Sequence, residues 1–200
     1  QFRSSLAARF TKPVARLLTR AGISPNTLSI SGFLVNLAAG IVIVSGNLLW
    51  GGFLVLFSGA FDLMDGALAR ASGRVTSFGG LLDSTLDRLS EAVVLLGLLI
   101  LYIGQPSTPG VILVYLCIVG SLLVSYIKAR GEGAGLKCNV GLFTRAERVV
   151  VLALGLLVNQ VIIALFLIAV LSYFTAAQRF IYLRQQTVKD MGQKARLTRQ

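Results

Sequence analysis

The chain has 200 residues, of which 55% are hydrophobic and only 14% are charged, and its mean hydropathy is +0.79. Soluble domains are about one quarter charged, so this composition excludes an ordinary soluble protein and indicates one membrane domain. The apolar residues form continuous runs, which predict α-helical spans and exclude the alternating pattern of a membrane β-barrel. The net charge of +11 indicates contact with lipid headgroups rather than nucleic acid, because no soluble domain remains to bind a nucleic acid.

The first 22 residues form a basic amphipathic segment. Five Arg and Lys residues alternate there with apolar residues that recur every three or four positions. This pattern predicts a helix lying on the anionic membrane surface, bent or broken by Pro13. The segment lacks the uninterrupted apolar core of a cleavable signal peptide. Asn26 or Thr27 is predicted to cap the helix that follows.

Six membrane spans follow, so the predicted fold is an all-α polytopic membrane protein. Five of the six apolar runs approach the length that a bilayer requires, whereas the run at 145–158 is short. The predicted spans are 27–46, 48–71, 79–104, 108–131, 145–158 and 161–184. Residues 23–184 thus form one membrane domain, and residues 185–200 are predicted to be a mobile basic tail.

The positive charges predict the orientation of these spans. All 19 Lys and Arg residues lie toward one end of the predicted bundle, and the turns at 46–48, 104–109 and 158–161 carry none. The positive-inside rule places the basic end and both termini in the cytoplasm. The predicted location is therefore the cytoplasmic membrane, crossed several times.

Four aspartates lie in the second and third predicted spans. Asp62 and Asp65 are three residues apart, Asp83 and Asp87 are four apart, and each pair therefore shares one helix face. The short loop between the spans makes them antiparallel neighbours, which brings the four side chains to a similar depth. An ionisable residue inside a bilayer is costly and marks a functional site by default.

The purpose of these carboxylates has more than one interpretation. Four of them in a medium of low dielectric constant would take up protons unless cations neutralised them. Two divalent cations would balance the charge, all-oxygen ligands favour Mg²⁺ or Mn²⁺, and a metal pair suits displacement at phosphorus. Arg70 and Arg88 could instead pair with the acids, and carboxylate chains also occur in ion or proton transporters.

The spacing of these residues resembles the signature of the CDP-alcohol phosphatidyltransferase family at every position. The matching positions are Asp62, Asp65, Gly66, Ala69, Arg70, Gly79, Asp83 and Asp87. Six spans behind a surface helix are also similar to that family. The resemblance implies transfer of a phosphatidyl group from CDP-diacylglycerol to an alcohol, with release of CMP, by a homodimer with its active site facing the cytoplasm.

The resemblance also implies roles for individual residues. Asp62, Asp65 and Asp83 would hold two Mg²⁺ ions, with Mn²⁺ as the alternative. Asp87 would be a metal ligand and the base that accepts the proton of the attacking hydroxyl. The implied contacts to CDP-diacylglycerol are Asn26, Thr27, Leu28, Ser29, Gly66, Ala69, Arg70, Thr76 and Gly79. The segment from Pro25 to Ser29 is equally well explained as a simple helix cap.

Basic residues near the cytoplasmic ends of the last three spans indicate an acceptor that carries a phosphate. They are Lys128, Arg130, Arg145, Arg148 and Arg179. The segments 125–130 and 145–148 resemble the bacterial phosphatidylinositol-phosphate synthase branch of the family. This resemblance implies inositol 1-phosphate as the acceptor and Lys128, Arg130, Arg148 and Arg179 as the residues that bind its phosphate. Glycerol 3-phosphate, used in phosphatidylglycerophosphate synthesis, is the alternative acceptor. Each cation alone could instead anchor its helix at the membrane interface.

Overall fold

The computed structural model describes residues 24–72 and 76–197, and these residues form six α-helices and no β-strand. The helices are α1 (Pro25–Val44), α2 (Leu48–Ser72), α3 (Ser77–Gly104), α4 (Thr108–Gly133), α5 (Arg145–Leu157) and α6 (Val161–Leu197). The all-helical prediction is confirmed over this part of the chain. The predicted surface helix of residues 1–22 lies outside the described residues.

The cap of α1 and the end of α6 differ from the prediction. Ser24, rather than Asn26 or Thr27, caps α1: its Oγ accepts the Thr27 N–H at 3.1 Å, and Pro25 occupies the first helical turn. At the other end of the chain, α6 runs on to Leu197, so the predicted mobile tail is helical over most of its length. Its Gln, Lys and Arg residues are good helix formers, and basic composition alone does not end a helix.

Four helices in residues 24–72 and 76–197 are long and apolar enough to cross a membrane. They contain the stretches Pro25–Val44, Leu48–Ala69, Thr108–Gly133 and Val161–Val188. These helices fit a multi-pass membrane protein. The helix α3 is long, but charged residues interrupt its first half, and α5 has only 13 residues. The count of six spans and the orientation of the termini therefore stay predictions.

The helices enclose one apolar core. The helix α1 packs against α2 and α3, α2 against α5, α3 against α4, and α6 against both α4 and α5. Side chains from every helix meet in the core, including Ile43, Val55, Leu98, Cys117, Leu152 and Leu165. This arrangement brings the acidic parts of α2 and α3 next to the start of α5.

Small residues allow the helices to approach closely within the chain. A Cβ atom on Gly97 would lie only 2.6 Å from the carbonyl oxygen of Gly40, so the backbones of α1 and α3 are almost in contact. A Cβ atom on Gly120 would lie 3.1 Å from the Ser172 Cβ of α6. These glycines stabilise the single chain, and they give no support to the predicted homodimer.

Candidate active site

Asp62 and Asp87 are joined by one arginine. The NH1 nitrogen of Arg145 lies 2.8 Å from the Asp62 Oδ2 and 2.6 Å from the Asp87 Oδ1. The three residues come from α2, α3 and the first turn of α5, and each side chain is about one fifth exposed. A single guanidinium nitrogen therefore neutralises part of the charge of two predicted metal ligands.

Asp65 and Asp83 form the second half of the acidic site. The Asp65 side chain is only 5% exposed, and its Oδ2 accepts the hydroxyl of Ser29 at 2.7 Å. This hydrogen bond links α1 to α2 and fixes the orientation of the carboxylate. Asp83, on α3, lies near enough to Asp65 for their charges to interact, and both residues line the same cavity.

Asp62 and Asp87 thus form one pair and Asp65 and Asp83 a second pair, and the negative charges of all four act on one another across the site. In residues 24–72 and 76–197, no group of three Asp, Glu, Cys or His side chains is arranged to hold a metal ion. The assignment of the four aspartates to two cations stays a prediction. The donors still fit a hard divalent cation, since they are all oxygen atoms and each pair supplies two carboxylates.

A cavity of about 370 Å³ lies beside the second pair. Its size is at the lower end of the range for small-molecule sites. Its walls come from the start of α1, the end of α2 and the start of α3. The lining residues are Pro25, Asn26, Ser29, Asp65, Gly66, Ala69, Thr76, Gly79, Gly80 and Asp83. Most of the predicted nucleotide contacts therefore surround one space that two aspartates also face.

The cap of α3 forms one wall of this cavity. Thr76 is the N-cap, and its Oγ1 accepts the backbone N–H of Gly79 at 2.9 Å. A Cβ atom on Gly79 would lie 2.9 Å from that Oγ1 and 3.3 Å from the Asn26 Oδ1, so only glycine fits without displacement. The cavity thus depends on a close approach between the beginnings of α1 and α3.

Three predicted nucleotide contacts are not among the residues that line the cavity. Leu28 is buried, and the Thr27 hydroxyl lies 2.8 Å from the Ser24 Oγ within the helix cap. The side chain of Arg70 lies outside the described part of the chain. Thr27 and Leu28 lie in the first turn of α1, and their contact with the nucleotide stays a prediction.

Glu91 and Arg148 form a buried ion pair below the aspartates. The Arg148 Nε and NH2 donate to Glu91 Oε1 and Oε2 at 2.7 and 2.9 Å, and the two side chains are 2% and 11% exposed. The hydroxyl of Ser121 also donates to Glu91, at 2.8 Å. This bidentate geometry ties α5 to α3 and occupies two of the three guanidinium nitrogens.

The other predicted acceptor residues have different surroundings. Arg179 is 7% exposed, and its Nε and NH1 donate to the carbonyl oxygens of Val140 and Val124 at 2.9 and 2.7 Å. Lys128 and Arg130 are exposed at the end of α4, where Lys128 lies 3.8 Å from Glu132. Arg148 and Arg179 are thus buried with partners inside the chain, whereas Lys128 and Arg130 are exposed, and their shared role in acceptor binding stays a prediction.

Sequence reasoning missed Glu91 and the contacts of Arg145. The sequence places Arg145 among the basic residues near the predicted acceptor, three residues before Arg148 on the same helix face, and does not indicate its contacts with Asp62 and Asp87. Glu91 lies four residues after Asp87 and shares its face of α3 in the same way. The spacing indicates the helix face on which Arg145 and Glu91 lie, but the residues that they contact lie far away in the sequence.

The polar and charged residues of the site lie between the helices of an apolar bundle. Comparison with known proteins identifies the family to which the chain belongs. The family model described as CDP-alcohol phosphatidyltransferase matches residues 22–178. The chain belongs to this family and is a phosphatidyltransferase enzyme. The enzyme class overturns the interpretation of the aspartates as part of a transporter.

Two relatives indicate which branch of the family the chain resembles. The chain is 38% identical to an archaetidylinositol phosphate synthase of Methanothermobacter thermautotrophicus, over 93% of this chain and 94% of that protein. It is 37% identical to a phosphatidylinositol phosphate synthase of Mycobacteroides abscessus, over 86% and 82% of the two chains. The resemblance to the phosphatidylinositol-phosphate synthases is thereby confirmed.

Solved structures of a mycobacterial relative share the fold. The phosphatidylinositol phosphate synthase of Mycobacterium tuberculosis with CDP-DAG bound superimposes with a TM-score of 0.80 at 36% identity, covering 88% of this chain and 94% of that one. The same enzyme in complex with manganese and citrate gives a TM-score of 0.79 at 36% identity, covering 86% and 88% of the two chains.

Proposed function

We propose that the protein transfers a phosphatidyl group from CDP-diacylglycerol to inositol 1-phosphate, giving phosphatidylinositol phosphate and CMP. The observation that carries this proposal is the cavity of about 370 Å³, in which two aspartates face the predicted nucleotide contacts. A relative of similar structure binds CDP-DAG. The donor cavity and the family membership thus support the same half of the reaction.

The relatives support the acceptor half. Their names differ in the lipid, archaetidyl or phosphatidyl, but agree on inositol phosphate as the headgroup. The acceptor is therefore better supported than the hydrophobic part of the donor. The exposed Lys128 and Arg130 are available to attract a phosphorylated acceptor. Arg148 retains one nitrogen, NH1, that has no hydrogen-bond partner among the described residues, and we propose that Arg179 completes this positively charged region.

In the proposed reaction, the acceptor hydroxyl oxygen attacks the phosphorus that carries the diacylglycerol. A new P–O bond forms, the P–O bond to CMP breaks, and CMP leaves with the bonding electron pair. Asp87 accepts the proton of the hydroxyl, and Ser29 keeps Asp65 oriented toward the donor cavity. Asn26, Gly66 and Thr76 contact the nucleotide from the cavity walls.

Asp62, Asp65, Asp83 and Asp87 are proposed to hold two Mg²⁺ or Mn²⁺ ions. When bound, the ions would neutralise negative charge on the diphosphate and make the attacking hydroxyl more acidic. The all-oxygen donor set and the manganese complex of the mycobacterial relative support a divalent cation. The charge asymmetry of the sequence supports a site that faces the cytoplasm, and the family resemblance supports a homodimer.

Competition among acceptors tests this function. The purified full chain is supplied with labelled CDP-diacylglycerol, Mg²⁺ and equal concentrations of inositol 1-phosphate, glycerol 3-phosphate, inositol and serine, and the lipid products are separated. We expect phosphatidylinositol phosphate to dominate. A dominant phosphatidylglycerophosphate product would establish glycerol 3-phosphate as the acceptor. Equal use of free inositol would contradict the proposal that the basic residues bind an acceptor phosphate. A parallel reaction with an archaeal ether-lipid donor compares the two hydrophobic groups.

A further inference from the structure

Arg145 contacts two carboxylates that the proposed function assigns to divalent cations. Its NH1 lies between the Asp62 Oδ2 and the Asp87 Oδ1, at 2.8 and 2.6 Å. A Mg²⁺ ion binds oxygen at about 2.0–2.1 Å and demands near-octahedral geometry. The guanidinium nitrogen and an ion shared by these two oxygens would therefore occupy the same space.

We propose that Arg145 is an internal counter-ion that competes with the divalent cation for Asp62 and Asp87. Without the cation, the guanidinium neutralises the two carboxylates and joins α2, α3 and α5. When the cation binds, the arginine leaves. This inference rests on the proposed metal site, and it adds a residue that weakens metal binding while it stabilises the metal-free protein.

The position of Arg145 on its helix supports this role. Arg145 is the first residue of α5, where the partial positive charge of the helix dipole makes a cation unfavourable. The capping box at the same turn already satisfies the helix end, since Glu147 accepts the backbone N–H of Thr144 at 2.9 Å. The two carboxylates are therefore the interaction that offsets this unfavourable placement.

One nitrogen of the Arg145 guanidinium group, Nε, lacks a hydrogen-bond acceptor in the described part of the chain. The Nε of Arg145 is buried and has no hydrogen-bond partner within residues 24–72 and 76–197. A buried donor without an acceptor raises the free energy of the bridging conformation. The bridge is thus held by charge and not by a full set of hydrogen bonds, which is the property expected of a contact that a stronger cation replaces.

The surroundings define the direction in which Arg145 can move. On the inner side, the cavity between Asn36, Ser58 and Arg148 has a volume of only about 20 Å³, close to that of one water molecule. It does not admit a guanidinium group. On the outer side, Arg145 follows residues 136–144, which contain no helix or strand. We expect a displaced side chain to turn toward this loop.

The binding of Mn²⁺ to the full chain tests the proposal without measuring turnover. The signal of free Mn²⁺ in electron paramagnetic resonance gives Kd for the wild type, Arg145→Gln and Arg145→Lys in bilayer discs of uncharged lipid. We expect Arg145→Gln to lower Kd about tenfold, because a positive charge next to the ligands is lost. Arg145→Lys keeps that charge, so its Kd is expected to lie between the other two.

Lys137→Gln is the matched control, since it removes an exposed positive charge near the end of α4 and contacts neither aspartate. Its Kd is expected to equal that of the wild type. A second measurement is the unfolding temperature in chelator, which should fall for Arg145→Gln and recover when Mn²⁺ is added. If Arg145→Gln can be purified only with Mn²⁺ bound, titration with a chelator gives the same affinity.

The outcomes separate this inference from the proposed function. A Kd for Arg145→Gln that is equal to or higher than that of the wild type overturns the competition and leaves the metal site intact. Absence of saturable Mn²⁺ binding to the wild type overturns both the metal site and the counter-ion. Tighter binding by Lys137→Gln would show a general effect of net charge and would also overturn the specific role of Arg145.

Discussion

Individual arginines near the site differ in what holds them. Arg145 bridges two aspartates from two helices, Arg148 forms a bidentate pair with Glu91, and Arg179 donates to backbone carbonyl groups. Only the contacts of Arg145 involve proposed ligands of the cation. Substitution of Arg145 should therefore change metal affinity, whereas substitutions of Arg148 and Arg179 should change stability and the proposed acceptor site.

Replacement of Asp83 tests the acidic site. Asp83→Asn keeps the size of the side chain but removes a negative charge that faces the donor cavity. We expect transferase activity to fall about a hundredfold or more, as when one electrostatic group is removed from an active site. Labelled-lipid transfer in Mg²⁺ measures the effect, and the unfolding temperature verifies the fold.

Thr85→Val, on the exposed side of the same helix, is the control and should keep activity within about twofold. Wild-type activity should also disappear in excess chelator and return with Mg²⁺ or Mn²⁺. Full activity of Asp83→Asn, or of the wild type in chelator, would contradict the proposed role of the aspartates.

Replacement of Gly79 tests the donor cavity. The added methyl group of Gly79→Ala would press against Thr76 and Asn26. We expect KM for CDP-diacylglycerol to rise about fivefold, which corresponds to about 1 kcal/mol of lost binding free energy, because two residues that line the donor cavity are displaced. Gly104→Ala, at the other end of α3 where a methyl group meets no atom within 4 Å, should leave KM unchanged. Equal KM values for both variants would exclude this wall from donor binding.

The sequence predicted which residues form the site better than it predicted the ion pairs among them. The aspartates were predictable because fixed spacing on neighbouring helices determines which side chains share a face, and Gly79 was predictable from the family resemblance. The bridge from Arg145 and the pair of Arg148 with Glu91 were not predictable, since each joins residues more than fifty positions apart and depends on which helices are adjacent. An arginine at the start of a span also has an ordinary explanation as an interface anchor.

At the level of helices, the pair between Glu91 and Arg148 is expected to stabilise the contact of α3 with α5. Glu91→Gln would leave a buried guanidinium without its counter-charge, which costs about 3–5 kcal/mol. Thermal unfolding in detergent should show a clearly lower Tm. Glu132→Gln breaks an exposed pair with Lys128, and its effect should be at most about 1 kcal/mol. Similar Tm values for both variants would show that the buried pair contributes little.

Helix boundaries were predictable where turn residues punctuate the sequence. The predicted and observed starts agree at Leu48, Thr108, Arg145 and Val161, each of which follows a short segment with Gly, Asn, Ser or Thr. The exceptions have local causes. Ser24 accepts the capping hydrogen bond because Pro25 suits the first helical turn, and α6 continues because no glycine or proline follows Arg184 before residue 192.

At the level of the whole molecule, the distribution of charge predicts which end of the bundle faces the cytoplasm. A fluorescent protein fused after Gln200 should fluoresce in a bacterial host, because it folds only in the cytoplasm. Alkaline phosphatase inserted at Gln105 should be active, because it requires the opposite side. The reverse pattern would place the aspartates on the outer side and contradict the proposed location. Two crossings are predicted between Gln105 and Asn159. Alkaline phosphatase inserted at Asn159 should therefore also be active.

The short helix α5 has a consequence for how two unlike substrates meet. Thirteen residues extend about 20 Å, whereas the hydrocarbon layer is about 30 Å thick. Its last turn lies level with the charge-free turns, because Asn159 and Gln105 line one cavity, so the shortfall falls at Arg145. In the proposed orientation this shortfall lies at the cytoplasmic face, so we expect water to reach Arg145 from that face and the proposed acceptor to approach the lipid by the same route. A cysteine at the exposed Leu142 should react with a charged maleimide from that side only.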